Sequence, residues 1–208
     1  MIFNLAAFYA KYNDYQVQQF VDLGGGRTSI RIDNAAIVKT KGVEAEFTYL
    51  ANANLMFQGS IGLLDAKFDS FTAGGTGGSD VSGNKLNAPD FSFALGTQYY
   101  YPMETFDASV LIRADITYQG GYHTTPDNIK TFTLISGPSV PYGYIDSLTQ
   151  INARIGLVSN NEFWELYLWG RNLNNDQQTV DDLRDFFNTI SAFPNRGRTF
   201  GIEGVFNF

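Results

Sequence analysis

The sequence predicts an all-β chain: an antiparallel transmembrane β-barrel segment of about eight strands, with short turns on one rim and long loops on the other. Three observations predict it. Aromatic residues make up 15% of the 208 residues, and with β-branched residues they lie between Gly/Asn/Asp clusters, which favours strands over helices. Apolar and polar residues alternate with period two in one segment after another. The connections alternate between short and long, as they do where periplasmic turns and extracellular loops close a barrel sheet. No apolar run approaches the roughly 18–20 residues that a membrane helix needs, so a barrel is the only membrane-spanning option.

The elements follow in order. The first segment, about Asn4 to Gln18, is aromatic-rich with ambiguous faces. Val43, Ala45, Phe47 and Tyr49 then alternate with Glu44, Glu46 and Thr48. Leu55, Phe57, Ile61 and Leu63 share a face. Phe91, Phe93, Leu95, Tyr99 and Tyr101 oppose Ser92, Ala94, Gly96, Gln98 and Tyr100. From Phe106 to Gly120 alternation is unbroken, with Val110, Ile112 and Ile116 on one side and Arg113 and Asp115 on the other. Ile151, Ala153, Ile155 and Leu157 oppose Asn152, Arg154 and Gly156. Trp164, Leu166 and Leu168 oppose Glu165, Tyr167 and Trp169, and Phe200, Ile202, Phe206 and Phe208 close the series. Short turns are expected near 51–53, 102–104 and 160–161, and long links at about 19–34, 70–88, 122–146 and 175–196. Four long links on one rim suggest a shared ligand-facing surface.

Net charge is −7, which argues against a phosphate-binding nucleic-acid surface. The absence of cysteine excludes disulfides and thiolate chemistry. Met1-Ile2-Phe3-Asn4 has no basic, apolar and cleavage regions in succession, so it is no signal peptide, and the chain is expected to start inside a longer gene product.

In a barrel the apolar face meets lipid and the charged face lines the lumen. Glu44, Glu46, Arg113, Asp115, Arg154, Arg171 and Glu203 are therefore the lumen-facing candidates, either along a ligand path or against a partner, with ordinary salt-bridge networks as the plainer reading. Tyr49, Tyr99, Tyr101, Phe106, Phe206 and Phe208 at one rim, with Tyr118, Tyr122 and Phe200 at the other, read as two aromatic girdles. Tyr122, Tyr142, Tyr144, Phe186, Phe187 and Phe193 are the extracellular-loop candidates for stacking on a ligand, against simple loop self-packing. No catalytic, metal or cofactor site is expected. The single histidine, His123, lies in a polar loop, and Gly74-Gly75-Thr76-Gly77-Gly78-Ser79-Asp80 has no following lysine and opens no helix. Asp69 with Asp80 matches no calcium motif, and Asp181, Asp182 and Asp185 read as a solvated acidic face.

Several motifs, in their order and spacing, resemble the C-terminal part of a TonB-dependent receptor. Asn4-Leu5-Ala6-Ala7-Phe8-Tyr9 to Asp14-Tyr15-Gln16 looks like a mid-barrel strand. Asn34-Ala35 followed by Lys41-Gly42-Val43-Glu44-Ala45-Glu46 is similar to the family's G-x-E-x-E strand. Asp65-Ala66-Lys67-Phe68, Asn87-Ala88-Pro89, Gly170-Arg171-Asn172-Leu173 and Gly197-Arg198-Thr199-Phe200-Gly201 continue the series. The resemblance implies an outer-membrane receptor, not an enzyme, for TonB-dependent uptake of a scarce ligand of siderophore, cobalamin, haem or glycan type. Residues 1–208 would be the C-terminal portion of the barrel, with the plug domain and earlier strands absent, a truncated gene or fragment that contacts outer-membrane lipid and reaches the TonB complex only through the missing plug. Phe200, Ile202, Phe206 and Phe208 resemble the terminal signal read by the barrel-assembly machinery, against a plain interfacial anchor.

Two rivals stand beside this reading. One is a self-contained eight-stranded outer-membrane barrel with a structural or adhesion role, since eight strands can close around their own side chains. The other is a soluble β-sandwich binding module, whose apolar faces would meet in a dry interior.

Overall fold

The computed structural model describes residues 1–24, 27–73, 78–103, 105–134, 136–161, 163–184 and 189–207, without the side chains of 18–31 and 33–35. Eight strands form one sheet: β1 (Ile2–Gly24), β2 (Arg27–Leu50), β3 (Leu55–Ser70), β4 (Phe91–Met103), β5 (Ala108–Gln119), β6 (Leu148–Ser159), β7 (Trp164–Arg171) and β8 (Thr199–Phe206). Each pairs antiparallel with its sequence neighbours, and β1 and β8 stand at the two edges. The other sheets among the described residues are two-stranded ribbons in the long loops. Among the described residues no second sheet covers either face, so the sandwich is not seen, and no described pairing joins β1 to β8 to close an eight-stranded barrel.

Register explains the faces, because residues directly opposite in an antiparallel pair point the same way. Ile155 lies opposite Ile112 and Leu168, Val43 opposite Ala7 and Leu63, and Leu168 opposite Ile202. These rows make one continuous apolar face. It is open to its surroundings: Ile112, Ile155, Leu166 and Leu168 are 45%, 49%, 48% and 56% exposed. A soluble chain seldom leaves so wide an apolar area uncovered. From Leu55 to Leu63 the apolar run of β3 covers about 27 Å of strand, enough to cross most of a ~25 Å apolar band at the tilt such strands take. Tyr49, Tyr99, Tyr101, Phe106 and Phe206 lie exposed toward the short-turn rim, and Phe91, Phe93 and Tyr118 cluster toward the other, with Phe93 and Tyr118 stacked 5.6 Å apart.

Three boundaries differ from the sequence reading. The link at 19–34 is not a long loop: β1 and β2 continue as a ladder to the Gly24–Arg27 pair. The register shifts around Tyr12, Tyr15 and Gln16, with Asp14 at a φ of 55°, form a bulge of the kind that twists a strand and ends a regular ladder. The turn placed at 102–104 falls later, because Pro102 and Met103 still pair with Ser109 and Ala108, while Asp107 makes the bend at a φ of 45°. Phe106 therefore sits in a turn rather than in β5. The faces of the first segment are now defined: Phe3, Leu5 and Ala7 join the apolar side and Asn4 and Ala6 the polar side.

Beyond the apolar band, Val17, Ala36, Val38, Phe68, Phe71 and Val81 form a small buried core with Ala73 and Leu86 against it. The 71–90 link makes this core by doubling back along β3, where Phe68 N donates to Asn84 O and Leu86 N to Ala66 O. Its described residues, 71–73 and 78–90, form a folded cap.

An arginine at position 155 tests which environment the apolar face meets. In lipid vesicles, with the chain inside a complete barrel that pairs its two edge strands, Ile155→Arg is expected to lower unfolding stability by about 2–4 kcal/mol, while Ser60→Arg on the opposite face costs under about 1 kcal/mol. Urea titration followed by tryptophan fluorescence reads both, and equal effects would refute the assignment of faces.

Candidate functional site

The polar face is built by the same register. Arg113 lies opposite Arg154, which lies opposite Trp169, and Tyr167 lies opposite both Gly156 and Glu203. Two shallow depressions meet here and share Arg113 and Asp115. One, of about 370 Å³, is lined by Glu46, Gln58, Ser60 and Thr117 as well; the other, of about 230 Å³, by Asn152, Arg154, Trp169, Arg171 and Glu203. Six of the seven sequence-predicted lumen candidates thus come together. Glu44 is an exposed residue of the same face that lines neither depression.

The arginines are held in layers. A Cβ at Gly156 would collide with the Tyr167 ring, and one at Gly201 with the Trp169 ring, so these glycines let both aromatics lie flat across neighbouring strands. Arg154 then lies 4.7 Å over Tyr167, and Arg171 5.1 Å over Trp169. Guanidinium–ring contacts of this kind are worth about 0.5–2 kcal/mol. Arg113 Nε is 3.8 Å from Asp115, whose other carboxylate oxygen accepts from Asn152 Nδ2 at 2.7 Å. Arg154 Nε is buried with no hydrogen-bond partner. With Arg113 and Arg171, Arg154 lines a depression that also holds the carboxylates of Asp115 and Glu203.

Asn152 also links this face to the long-loop rim. Its Oδ1 accepts from Asn172 N at 2.9 Å. Asn172 is buried at a φ of 51°, donates through Nδ2 to Asp176 O and Arg196 O, and accepts from Asp176 N. Asp176 in turn accepts from Thr149 N, and Asn195 Nδ2 donates to Asp176 O. Sequence reasoning missed Asn152, Tyr167, Trp169 and Asn172 as members of the site. The signal for the first three was their alternation with the apolar residues of β6 and β7.

In the loops, Tyr142 is buried, with Arg184 over its ring at 5.7 Å and over Phe132 at 4.6 Å. Tyr144 takes Lys130 over its ring at 3.9 Å and His123 edge-on at 4.9 Å. Tyr122 donates to Val180 O at 3.4 Å. Asp182 ties the two loops by accepting from Thr124 Oγ1 and Gly143 N, both at 2.7 Å. Tyr144 is therefore engaged within its own loop, and Tyr122 and Tyr142 with the neighbouring one. Phe193 is exposed on its ribbon. Phe186, Phe187, Asp185, Gly74 to Gly77, the Asn34-Ala35 side chains and Phe208 lie outside the described residues. Phe200, Ile202 and Phe206 project together from β8 at 69%, 73% and 63% exposure. Asp80 is bound by Ser82, whose hydroxyl holds its carboxyl below the usual range, and Asp69 pairs with Lys39, so the two are not brought together. No grouping of three or more metal-ligating side chains occurs among the described residues.

The family model described as TonB dependent receptor-like, β-barrel matches residues 1–173. No curated protein matches the sequence. Among solved structures, the ferric yersiniabactin uptake receptor FyuA from Yersinia pestis aligns with a TM-score of 0.75 at 15% identity, over 99% of this chain and 27% of that one. The siderophore receptor PiuA from Acinetobacter baumannii gives 0.64 at 14% identity, over 97% and 25%. BauA, the ferric preacinetobactin receptor of the same organism, gives 0.62 at 12%, over 97% and 26%. At these identities the likeness carries the fold. The chain spans roughly a quarter of the length of these structures.

Two outcomes follow from the site. Asn172→Ala should destabilise the chain by about 2–4 kcal/mol, through lost hydrogen bonds and a left-handed backbone. Asn172→Gly should recover about 1 kcal/mol of this, because only the backbone cost is relieved. Hydrogen exchange at Asp176 and Asn195 should rise in both. Burial raises the Tyr142 hydroxyl above its ordinary value of 10.0, with Asp182 and Asp127 adding to it and Arg184 opposing. A raised folded value means that the stabilisation is full below pH 10 and lost as pH climbs through that value. Absorbance titration should show Tyr142 ionising late, and Tyr142→Phe should remove that step.

Proposed function

Since the chain belongs to the TonB-dependent receptor-like β-barrel family, we propose that it forms part of the wall of an outer-membrane receptor that imports a scarce small ligand of the siderophore type. One observation carries this: a single sheet exposes a continuous apolar face on one side and a layered arginine–carboxylate face on the other. That division suits lipid outside and an aqueous lumen inside. The siderophore type is favoured over cobalamin, haem or glycan because one similar solved structure is named as a siderophore receptor and two others as receptors for ferric yersiniabactin and ferric preacinetobactin.

The rest of the reading follows from physics. Unpaired N–H and C=O groups in hydrocarbon cost several kcal/mol each, so the free edges of β1 and β8 need neighbouring strands. In this reading residues 1–208 are the C-terminal portion of a larger barrel, and a plug domain sits against the polar face that Arg113, Arg154 and Arg171 line. The plug, not this wall, engages the TonB complex. Phe200, Ile202, Phe206 and Phe208 of the closing strand serve recognition by the barrel-assembly machinery. The role is transport rather than catalysis.

The test is uptake in the source cell under iron limitation. Disrupting the reading frame that encodes this chain is expected to lower accumulation of a radiolabelled ferric siderophore and to leave cobalamin uptake unchanged. Unchanged iron accumulation, or loss of cobalamin uptake alone, would overturn the siderophore assignment.

A further inference from the structure

Five of the six lysines of this chain gather at one place. Lys11 lies directly opposite Lys39, Lys39 opposite Lys67, and Lys67 opposite Lys85. This is an unbroken row of four like charges across neighbouring strands. Lys41 sits one row nearer the apolar band, beside Tyr9 on one side and Asp65 on the other. The next row is Ala7, Val43, Leu63 and Phe91, and it is wholly apolar. Register therefore puts the lysines on the lipid-facing side, immediately above the apolar band and at its long-loop end.

Like charges directly opposite destabilise a sheet. Three carboxylates relieve part of the repulsion: Asp69 is 2.6 Å from Lys39, Asp65 is 2.8 Å from Lys67 and 3.3 Å from Lys41, and Asp90 pairs with Lys85. Five cations still face three anions on a chain whose net charge is −7. The lysine heads remain accessible, with 42%, 64% and 45% of the Lys39, Lys41 and Lys67 side chains exposed. Between them lies a cavity of about 340 Å³ lined by Tyr9, Lys39, Lys41, Asp65, Lys67 and Asp69. The arginines of the wall take no part, because Arg113, Arg154 and Arg171 are all on the other face.

We infer that this belt binds the phosphate groups of membrane lipid headgroups in the leaflet at the long-loop rim. The complement is specific in two ways. A row of four strands is about 14 Å wide, the size of a phosphorylated headgroup rather than of one ion. The apolar rows directly below would take up the acyl chains of the same molecule. The inference rests on the lipid-facing reading of the apolar side.

The chain, within a complete barrel that supplies the strands beside β1 and β8, is folded into phosphatidylcholine vesicles and probed with spin-labelled phosphatidate and spin-labelled phosphatidylcholine, and the relative association constant is read by electron spin resonance. The wild type is expected to prefer phosphatidate, with the preference weakening as salt is raised. The combined Lys39→Gln, Lys41→Gln and Lys67→Gln variant should abolish that preference, because it leaves two lysines against three carboxylates. The matching Lys→Arg variant should keep it, which separates charge from folding damage. An undiminished preference in the Gln variant overturns the inference. So does loss of the wild-type preference to millimolar inorganic phosphate, since the site would then take free phosphate. Failure of the wild type to enter neutral vesicles overturns the lipid-facing reading itself, and this inference with it; normal insertion without lipid preference overturns the inference alone.

Discussion

The inter-strand hydrogen-bond ladder is the constraint on which everything else here depends. Side chains alternate with period two, so a slip of one residue in any strand would carry Ile112, Ile155 or Leu166 to the charged face and Arg113 or Arg154 to the apolar one. Hydrogen-bond count alone would barely oppose a slip. What opposes it is the interlock on the polar face. Tyr167 fits only across Gly156 and Trp169 only across Gly201, because any other register would put a Cβ under a ring. The bulge near Asp14 does the same for β1 and β2 by allowing one alignment below it and another above.

In the sheet, Arg113, Arg154 and Arg171 lie on one face and Lys11, Lys39, Lys41 and Lys67 on the other, and the chemistry of the two residue types explains it. Arginine has a flat, weakly hydrated head that can lie on a ring and still present donors sideways. That suits Arg154 and Arg171, each resting on an aromatic within a partly covered face. Lysine carries a compact, strongly hydrated charge at the end of a flexible apolar stem, which reaches for water or headgroups from an apolar surface. That suits Lys39, Lys41 and Lys67 at the border of the apolar band. Exchanging the two types would leave lysines poorly held over Tyr167 and arginines without rings to rest on at the rim.

Much of the sheet was legible in the sequence because its signal is local. Alternation in Val43–Tyr49, Phe91–Tyr101 and Ile151–Leu157 needs only neighbouring residues, and it defined both strand positions and faces. The 19–34 segment was misjudged for the opposite reason. Its glycines and polar residues carry turn chemistry, but β1 and β2 extend past the membrane band and there need no apolar face. The lysine row was illegible until register was known, since Lys11, Lys39, Lys67 and Lys85 are far apart in sequence and meet only through three separate pairings. The same holds for Asn172, whose partners Asn152, Asp176 and Arg196 come from β6 and from the two ends of the 175–196 link. The lumen charges were readable as a set, but the way rings and glycines hold them was not.

The long-loop side is more ordered than loop length alone suggests, and this bears on how a ligand would be received. Tyr142 and Tyr144 already hold Arg184 and Lys130 over their rings, and Asp182 joins the 122–146 loop to the 175–196 loop. A ligand that recruited these rings would first have to displace cations already on them, and so would gain only the difference between two similar contacts. Arg154 is in the same position, with its guanidinium already seated over the Tyr167 ring, so the polar face of β5 to β8 and the loops above it are both pre-organised by contacts within the chain. The chain of contacts from Asp115 through Asn152 and Asn172 to Asp176 is what holds those two regions in one frame.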